Sequence, residues 1–130
     1  LIDRVSYVKN GDLNINSLRR ATTIMDGKNN EFKPGEIRLL LVDQESSFGG
    51  HWREYDEVWG FLGNATVTLE DIDTKERKIY KVADGTRLFI PSRVASKIEA
   101  EKSTAIVTCS SYNIDREKQT HKYEFNWIVY

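Results

Sequence analysis

The sequence predicts an all-β domain of the sandwich, jelly-roll or barrel kind, on three observations. Helical periodicity is nearly absent, and apolar residues alternate or come in short runs. Turn residues bound those runs at spacings of roughly 8–12 residues. The chain has 130 residues, so residues 1–130 are read as one domain. A domain of that size buries roughly two-thirds of its unfolded surface and needs neither disulfides nor metals to hold a core.

In order along the chain, Arg4 to Val8 is expected as the first strand, closed by Lys9-Asn10-Gly11-Asp12. Leu18 to Met25 is the second, closed by Asp26-Gly27-Lys28-Asn29-Asn30. Ile37 to Val42 is apolar except for Arg38 and follows Pro34-Gly35, the pattern of a strand buried on both faces. Ser46-Ser47-Phe48-Gly49-Gly50 reads as a loop whose glycines supply positive φ. His51 to Leu62 is the strand that follows, and Gly63-Asn64 turns it into Ala65 to Glu70. Thr66 to Glu70 and Arg77 to Val82 both alternate, and Asp71 to Lys75 joins them as a hairpin loop. The polar stretch Lys75 to Lys81 is the solvated face of that hairpin. Asp84-Gly85 turns into Arg87 to Pro91, where a proline at a strand end removes no ladder bond. Val94 to Ala100 and Thr104 to Ser110 follow. Tyr112 to Lys118 is irregular or a short helical turn, and Tyr123 to Tyr130 is a final aromatic strand. There is no internal repeat, low-complexity stretch or domain linker.

Composition excludes several classes of function. Nineteen Lys and Arg stand against twenty Asp and Glu, for a net charge of -1. A nucleic-acid binder normally carries a basic surplus, so none is expected as partner. The longest apolar run is about four residues, far short of the ~20 that span a bilayer as a helix. The opening Leu1-Ile2-Asp3-Arg4 has no basic stretch followed by an apolar one, so no secretion signal is expected. The lone Cys109 allows no internal disulfide and suits a reducing, cytoplasmic setting. No neighbouring histidine or basic run activates it, so it reads as an inert buried thiol.

The middle of the chain, Gly50-His51-Trp52-Arg53-Glu54-Tyr55-Asp56-Glu57-Val58-Trp59-Gly60-Phe61-Leu62-Gly63, resembles the first motif of the cupin superfamily. Asp84-Gly85-Thr86-Arg87-Leu88-Phe89-Ile90-Pro91-Ser92-Arg93-Val94-Ala95-Ser96 resembles the second. There the Gly85 to Pro91 spacing fits, but Arg93 stands where the family has a glycine. The likeness covers roughly residues 35 to 125. The Cys109-Ser110-Ser111-Tyr112-Asn113-Ile114-Asp115 tail is similar to the branch containing sugar-nucleotide 3,4-ketoisomerases. The resemblance implies a single-domain cupin-type jelly-roll β-barrel, paired as a homodimer through its edge strands. Edge strands of so much sheet need covering in any case.

Alternation on one regular strand would turn His51, Arg53, Tyr55 and Glu57 to one face, with Trp59 and Phe61 continuing the set and Trp52 and Glu54 opposite. By resemblance, metal-binding cupins use two histidines and a glutamate from the first motif and a histidine from the second. Here those positions hold His51, Arg53, Glu57 (or Asp56, if the strand is bulged) and Ser96. A guanidinium stays protonated in proteins and repels a divalent ion, so no metal and no cofactor is expected. The ketoisomerase branch shuttles a proton with two histidines, of which His51 alone remains.

The expected function is therefore a metal-free isomerase or epimerase. It acts by proton transfer next to a keto group of a deoxysugar nucleotide. His51 is the acid/base, since imidazole titrates near neutrality. Tyr55 or Glu57 is its partner, and Arg53 is the electrostatic stabiliser or anion anchor. Arg38, Trp59 and Ser96 complete the substrate-binding set. The plainer readings are a structural histidine, a buried Arg53–Glu57 pair in place of a metal, and tryptophans of core or interface. Arg87 and Arg93 read as solvated residues. The rival functions are a non-catalytic cupin that binds a sugar or other small molecule, and a metal-dependent cupin with atypical ligands.

Overall fold

In the computed structural model, residues 5–8, 14–15, 20–25, 32–111 and 114–127 are described. The strands are β1 (Ser6–Val8), β2 (Asn14–Ile15), β3 (Arg20–Ala21), β4 (Pro34–Val42), β5 (Ser46–Arg53) and β6 (Glu57–Leu62). They continue as β7 (Ala65–Asp71), β8 (Arg77–Val82), β9 (Arg87–Ile90), β10 (Val94–Ala100), β11 (Thr104–Ser111) and β12 (Thr120–Lys122). One helical turn, α1 (Arg116–Gln119), precedes β12. Two antiparallel five-stranded sheets result, in the orders β1-β9-β6-β11-β4 and β12-β5-β10-β7-β8, with β2 and β3 as a separate ribbon.

Alternation decides what lies between the sheets. From the first sheet, Phe61, Leu88, Ile90 and Ile106 point inward; from the second, Val67, Leu69, Tyr80, Val82 and Ile98 meet them. Each such apolar side chain contributes roughly 1.5–3 kcal/mol by leaving water. Cross-strand registers set Arg38, Thr108, Trp59 and Leu88 in one row of the first sheet's inner face. Glu36, Ser110, Glu57 and Ile90 form the next row. The apolar core therefore fills one end of the space, and polar groups gather towards the other.

The glycine pair is part of strand β5, not of a loop as expected. Ile98 faces Phe48 and Ser96 faces His51, so three steps of β5 span two of β10. That extra residue is a β-bulge. Gly49 and Gly50 hold φ of +107° and +79°, and a Cβ on Gly49 would lie 2.8 Å from the Ser96 carbonyl oxygen. The bulge lets Phe48 and His51, an odd number of residues apart, face the same way.

His51 to Leu62 is also not one strand. β5 ends at Arg53 in the second sheet, and β6 begins at Glu57 in the first. The corner is tied by Glu54 N–H to the Gln119 carbonyl (2.9 Å), Ser111 N–H to the Asp56 carbonyl (3.1 Å) and Ser92 N–H to the Asp56 carboxylate (2.8 Å). Tyr55 leaves the alternation there.

Three more expectations change. Ile37 to Val42 is not buried on both faces: β4 is a sheet edge, and Ile37, Leu39 and Leu41 are 68%, 64% and 67% exposed. Of Leu18 to Met25, the described residues are 20–25, and among them Arg20–Ala21 is strand. Residues 22–25 instead lead Ile24 onto Gly60, where a Cβ would meet its Cδ1 at 1.7 Å. Of Tyr123 to Tyr130, the described part is not strand: β12 is Thr120–Lys122, the Tyr123 N–H still bonds the Gly50 carbonyl at 2.8 Å, and the chain then leaves β5. Residues 1–4, the turns expected at 9–12 and 26–30, and residues 16–19, 112–113 and 128–130 lie outside the described residues.

Candidate functional site

A cavity of about 80 Å³ opens between the polar ends of the two sheets. Leu40, Phe48, Ile98 and Ile106 give it an apolar floor. Its polar wall is Arg38, Arg53, Glu57, Trp59, Ser96, Thr108 and Arg116. The volume suits a few water-sized groups, not a whole nucleotide.

Five of the residues singled out from the sequence thus meet there: Arg38, Arg53, Glu57, Trp59 and Ser96. His51 faces inward opposite Ser96, half-buried, but stands outside the enclosed wall. Burial, then the charges of Arg53 and Lys122, hold its pKa below the ordinary 6.5. Its imidazole is therefore neutral, a base, at physiological pH. Tyr55 is buried at the corner, outside the wall, with its hydroxyl hydrogen-bonded to no described group. The Arg116 guanidinium lies 6.0 Å from the centre of its ring.

Glu57 is the charged centre of the wall, its side chain 4% exposed. Ser110 Oγ donates to its Oε2 at 3.1 Å, Arg53 Nε stands 3.4 Å from Oε1, and an Arg116 Nη lies 3.8 Å from Oε2. Arg53 comes from β5 and Glu57 from β6, so the ion pair bridges the two sheets. Arg116, on α1, also binds Glu36 through Nε at 2.8 Å. Asp115 caps α1 by accepting the Lys118 N–H at 3.3 Å, which fixes the turn that aims Arg116 inward. Arg38 makes no ion pair among the described residues. Three guanidiniums (Arg38, Arg53, Arg116) against two carboxylates (Glu36, Glu57) leave this end at +1. Such a field favours an oxyanion or a negatively charged ligand.

The sequence reading missed Arg116, Thr108, Ser110 and Phe48. Arg116 sits in the run Asp115-Arg116-Glu117-Lys118, which looks like any solvated segment. Thr108 and Ser110 carried a signal, the inward alternation of β11, that pointed to their neighbours only once the sheet order was known.

The cupin positions for metal ligands do not fit a divalent cation here. The one carboxylate among them is occupied by two guanidiniums and a hydroxyl, and Arg53 stands in direct contact. Arg93, where the family has glycine, adopts the φ that glycine would, +67°. Its N–H bonds the Arg53 carbonyl at 2.9 Å and its guanidinium holds Asp73 at 2.6 and 2.9 Å. The local fold thus survives the substitution, at some backbone strain. On the outer face of the second sheet, Trp52 lies between the His121 ring (centroids 4.4 Å apart) and the Arg93 guanidinium (5.2 Å). His121 pairs with Glu54 at 2.5 Å, away from the cavity wall. Cys109 is buried, and burial with the nearby Glu57 charge pushes its thiol up, away from reactivity.

Two antiparallel five-stranded sheets with a polar cavity between their inner faces define a cupin-type jelly roll. No protein-family profile and no curated protein sequence matches the chain. Solved structures do. The chain is similar to a dTDP-sugar isomerase from Desulfovibrio desulfuricans G20, with TM-score 0.78, 14% identity, and 94% of this chain and 85% of that one covered. It is similar to QdtA, a sugar 3,4-ketoisomerase from Thermoanaerobacterium thermosaccharolyticum solved with TDP, with TM-score 0.73, 18% identity and coverage of 93% and 89%. It is also similar to ChmJ, a 3'-monoepimerase from Streptomyces bikiniensis solved with dTDP-quinovose, with TM-score 0.75, 10% identity and coverage of 91% and 68%. At these identities the likeness is one of fold. Among the described residues no helix is long and apolar enough to cross a membrane.

Proposed function

We propose that this chain modifies a nucleotide-linked sugar by proton transfer next to a keto group, between the α carbon and the neighbouring carbonyl carbon. The observation that carries the reading is the pairing of a neutral, inward-facing imidazole, His51, with a guanidinium on the same strand, Arg53, beside a cavity biased to positive charge. The fold likeness to nucleotide-sugar isomerases and an epimerase supports the same class.

The chemistry balances with the residues present. His51 takes the proton from the carbon beside the carbonyl, and the C–H electrons form a C=C bond while charge moves to the keto oxygen. Arg53 stabilises that oxyanion. Glu57 fixes the Arg53 guanidinium rather than leaving it to swing. The imidazolium exchanges its proton with solvent at the mouth and delivers a proton to the former carbonyl carbon, and a hydroxyl proton passes to the former keto oxygen. One imidazole returns the proton to the face it came from, which suits isomerisation. Epimerisation needs a second carrier on the opposite face; of the two expected partners Glu57 alone lines the cavity, Tyr55 being buried at the corner outside it. The cavity admits only the reacting edge of the sugar, so the nucleotide diphosphate lies outside, within reach of the exposed Arg38.

The test is solvent deuterium exchange into TDP-4-keto-6-deoxyglucose, followed by mass spectrometry. Incorporation is expected, with an acid limb set by His51. Its folded pKa lies below 6.5, so the base form persists as pH falls through 6.5 and the rate drops only beneath it. A limb above 6.5 contradicts this assignment. No incorporation, with the nucleotide bound, would favour a sugar-binding module, a reading that the Arg53–Glu57 pair at the second histidine position also supports.

We propose further that the chain pairs with a second copy of itself through the β4 edge, by the exposed Ile37, Leu39 and Leu41. A two-fold axis would lay that apolar row against itself. Leu39→Asp with Leu41→Asp should turn a dimer into a monomer in sedimentation velocity. A wild-type monomer at micromolar concentration rules the pairing out.

A further inference from the structure

We infer that the Ser96 hydroxyl relays the proton that leaves the sugar's own hydroxyl when the keto group moves to the carbon bearing it. This rests on the reading of the cavity as a nucleotide-sugar site with His51 as base. Ser96 is 3% exposed and lines the cavity. It sits on β10, which has β5 on one side and β7 on the other. Its partner on β7 is the core residue Leu69, and residues directly opposite share a face, so the Ser96 side chain points between the sheets. Whatever surface that side chain exposes therefore opens into the cavity rather than to bulk water. Its Oγ is not sealed off and makes no hydrogen bond to a described residue. Packing does not explain the hydroxyl. The close approach of Gly49 is to the Ser96 carbonyl oxygen, a backbone contact that alanine would keep.

The neighbours give that hydroxyl a task. Directly opposite Ser96 on β5 is His51, and side chains paired in this way stand about 5 Å apart at Cβ. The carbon that loses its proton to His51 also bears the hydroxyl whose proton the isomerisation must move. A base and a hydroxyl side by side meet both substituents of that one carbon. Other hydroxyls nearby are placed differently. Ser110 is engaged by Glu57 and by Arg116 Nη at 3.3 Å, and Thr108 stands on the facing sheet in the row of Arg38 and Trp59. A carrier is needed because the two sugar oxygens sit on adjacent carbons. Direct transfer between them closes a five-membered ring, whose O–H···O angle falls well short of the roughly 150° that a good hydrogen bond prefers. Once His51 holds the C–H proton, Ser96 Oγ accepts the sugar hydroxyl's proton as its own proton passes to the former keto oxygen. The electrons of the broken sugar O–H bond become the new C=O. Those of the C=C bond take the proton that His51 delivers to the former carbonyl carbon. Ser96 ends as it began, and no co-reactant is required.

The experiment incubates the whole chain with TDP-4-keto-6-deoxyglucose in heavy water. It reads two quantities by mass spectrometry and NMR: deuterium in the recovered substrate, and isomerised product. Deuterium enters the substrate as soon as His51 removes and returns a proton, whereas product forms only after the hydroxyl proton has moved. In Ser96→Ala product formation should fall at least about 30-fold while wash-in falls less than about threefold, within the range for loss of one proton carrier. A merely structural serine would lower both together or neither. Equal losses in the two readouts overturn the inference, and so does a folded Ser96→Ala that forms product at the wild-type rate. If the wild type binds the sugar and shows neither wash-in nor product, the parent reading falls and takes this inference with it. Should Ser96→Ala fail to fold, Ser96→Cys, close to serine in shape but only a weak hydrogen-bonder, carries the same comparison.

Discussion

His51→Asn should abolish deuterium exchange into a 4-keto nucleotide sugar while leaving the ligand bound. A positioned general acid/base contributes about 10²–10⁴-fold to proton transfer. His51 is the one imidazole on the inner face near the cavity among the described residues, and its lowered pKa keeps it in the base form. Asparagine retains a polar planar group of similar reach but takes up no proton. The rate should therefore fall by at least about 100-fold, with affinity within about tenfold, or ~1.4 kcal/mol. Isothermal calorimetry and exchange measured on the same preparation separate the two effects. Equal exchange in the variant removes His51 from the chemistry. Loss of binding equal to the loss of rate makes it an anchor instead.

Glu57→Ala should be the most destabilising change in the cavity wall. It leaves Arg53, Arg116 and the Ser110 hydroxyl without the carboxylate that all three now address. Breaking a buried ion pair from one side is commonly worth about 3–5 kcal/mol. Here the low end applies, about 3 kcal/mol, because Arg116 retains Glu36 and the Arg53 side chain keeps 19% exposure to water. For a domain of this length that corresponds to a fall of roughly 10 °C in Tm. Replacing both partners, Arg53→Leu with Glu57→Leu, should recover most of the stability, since an apolar pair of similar volume leaves no stranded charge. Urea unfolding of the single and double variants reads this directly. A Glu57→Ala domain as stable as the wild type contradicts the view that this carboxylate organises the wall.

The site was legible where alternation holds and obscure where the chain breaks it. Arg53, Glu57, Trp59 and Ser96 come together because each sits on the inner face of a regular strand, and period-two spacing reports that. Arg38 was picked out by being the lone charge in an apolar run, a chemical anomaly that needs no topology. Gly49-Gly50 was misread because positive-φ glycines serve loops and bulges alike, and only the pairing with β10 distinguishes them. Tyr55 was placed with the inward set because nothing in His51 to Leu62 announces a corner. The break depends on Asp56 meeting Ser92, a contact across 36 residues. Arg116 is a similar case, since its partners Glu36 and Glu57 lie 80 and 59 residues away in the chain. The apolar run of β4 suggested burial on both sides, but composition does not say whether a strand is central or at an edge. Arg93 taught the reverse lesson. It broke a family pattern in sequence, yet the backbone there kept the glycine-like φ, held by hydrogen bonds.

A crystal structure with TDP-4-keto-6-deoxyglucose bound tests the central claim most directly. The account predicts the sugar's keto oxygen inside the cavity within hydrogen-bond distance of the Arg53 guanidinium. It predicts the adjacent carbon within about 3.5 Å of a His51 nitrogen, the contact that proton transfer needs. A nucleotide seated elsewhere, or a sugar whose reacting carbons face away from His51, would contradict it.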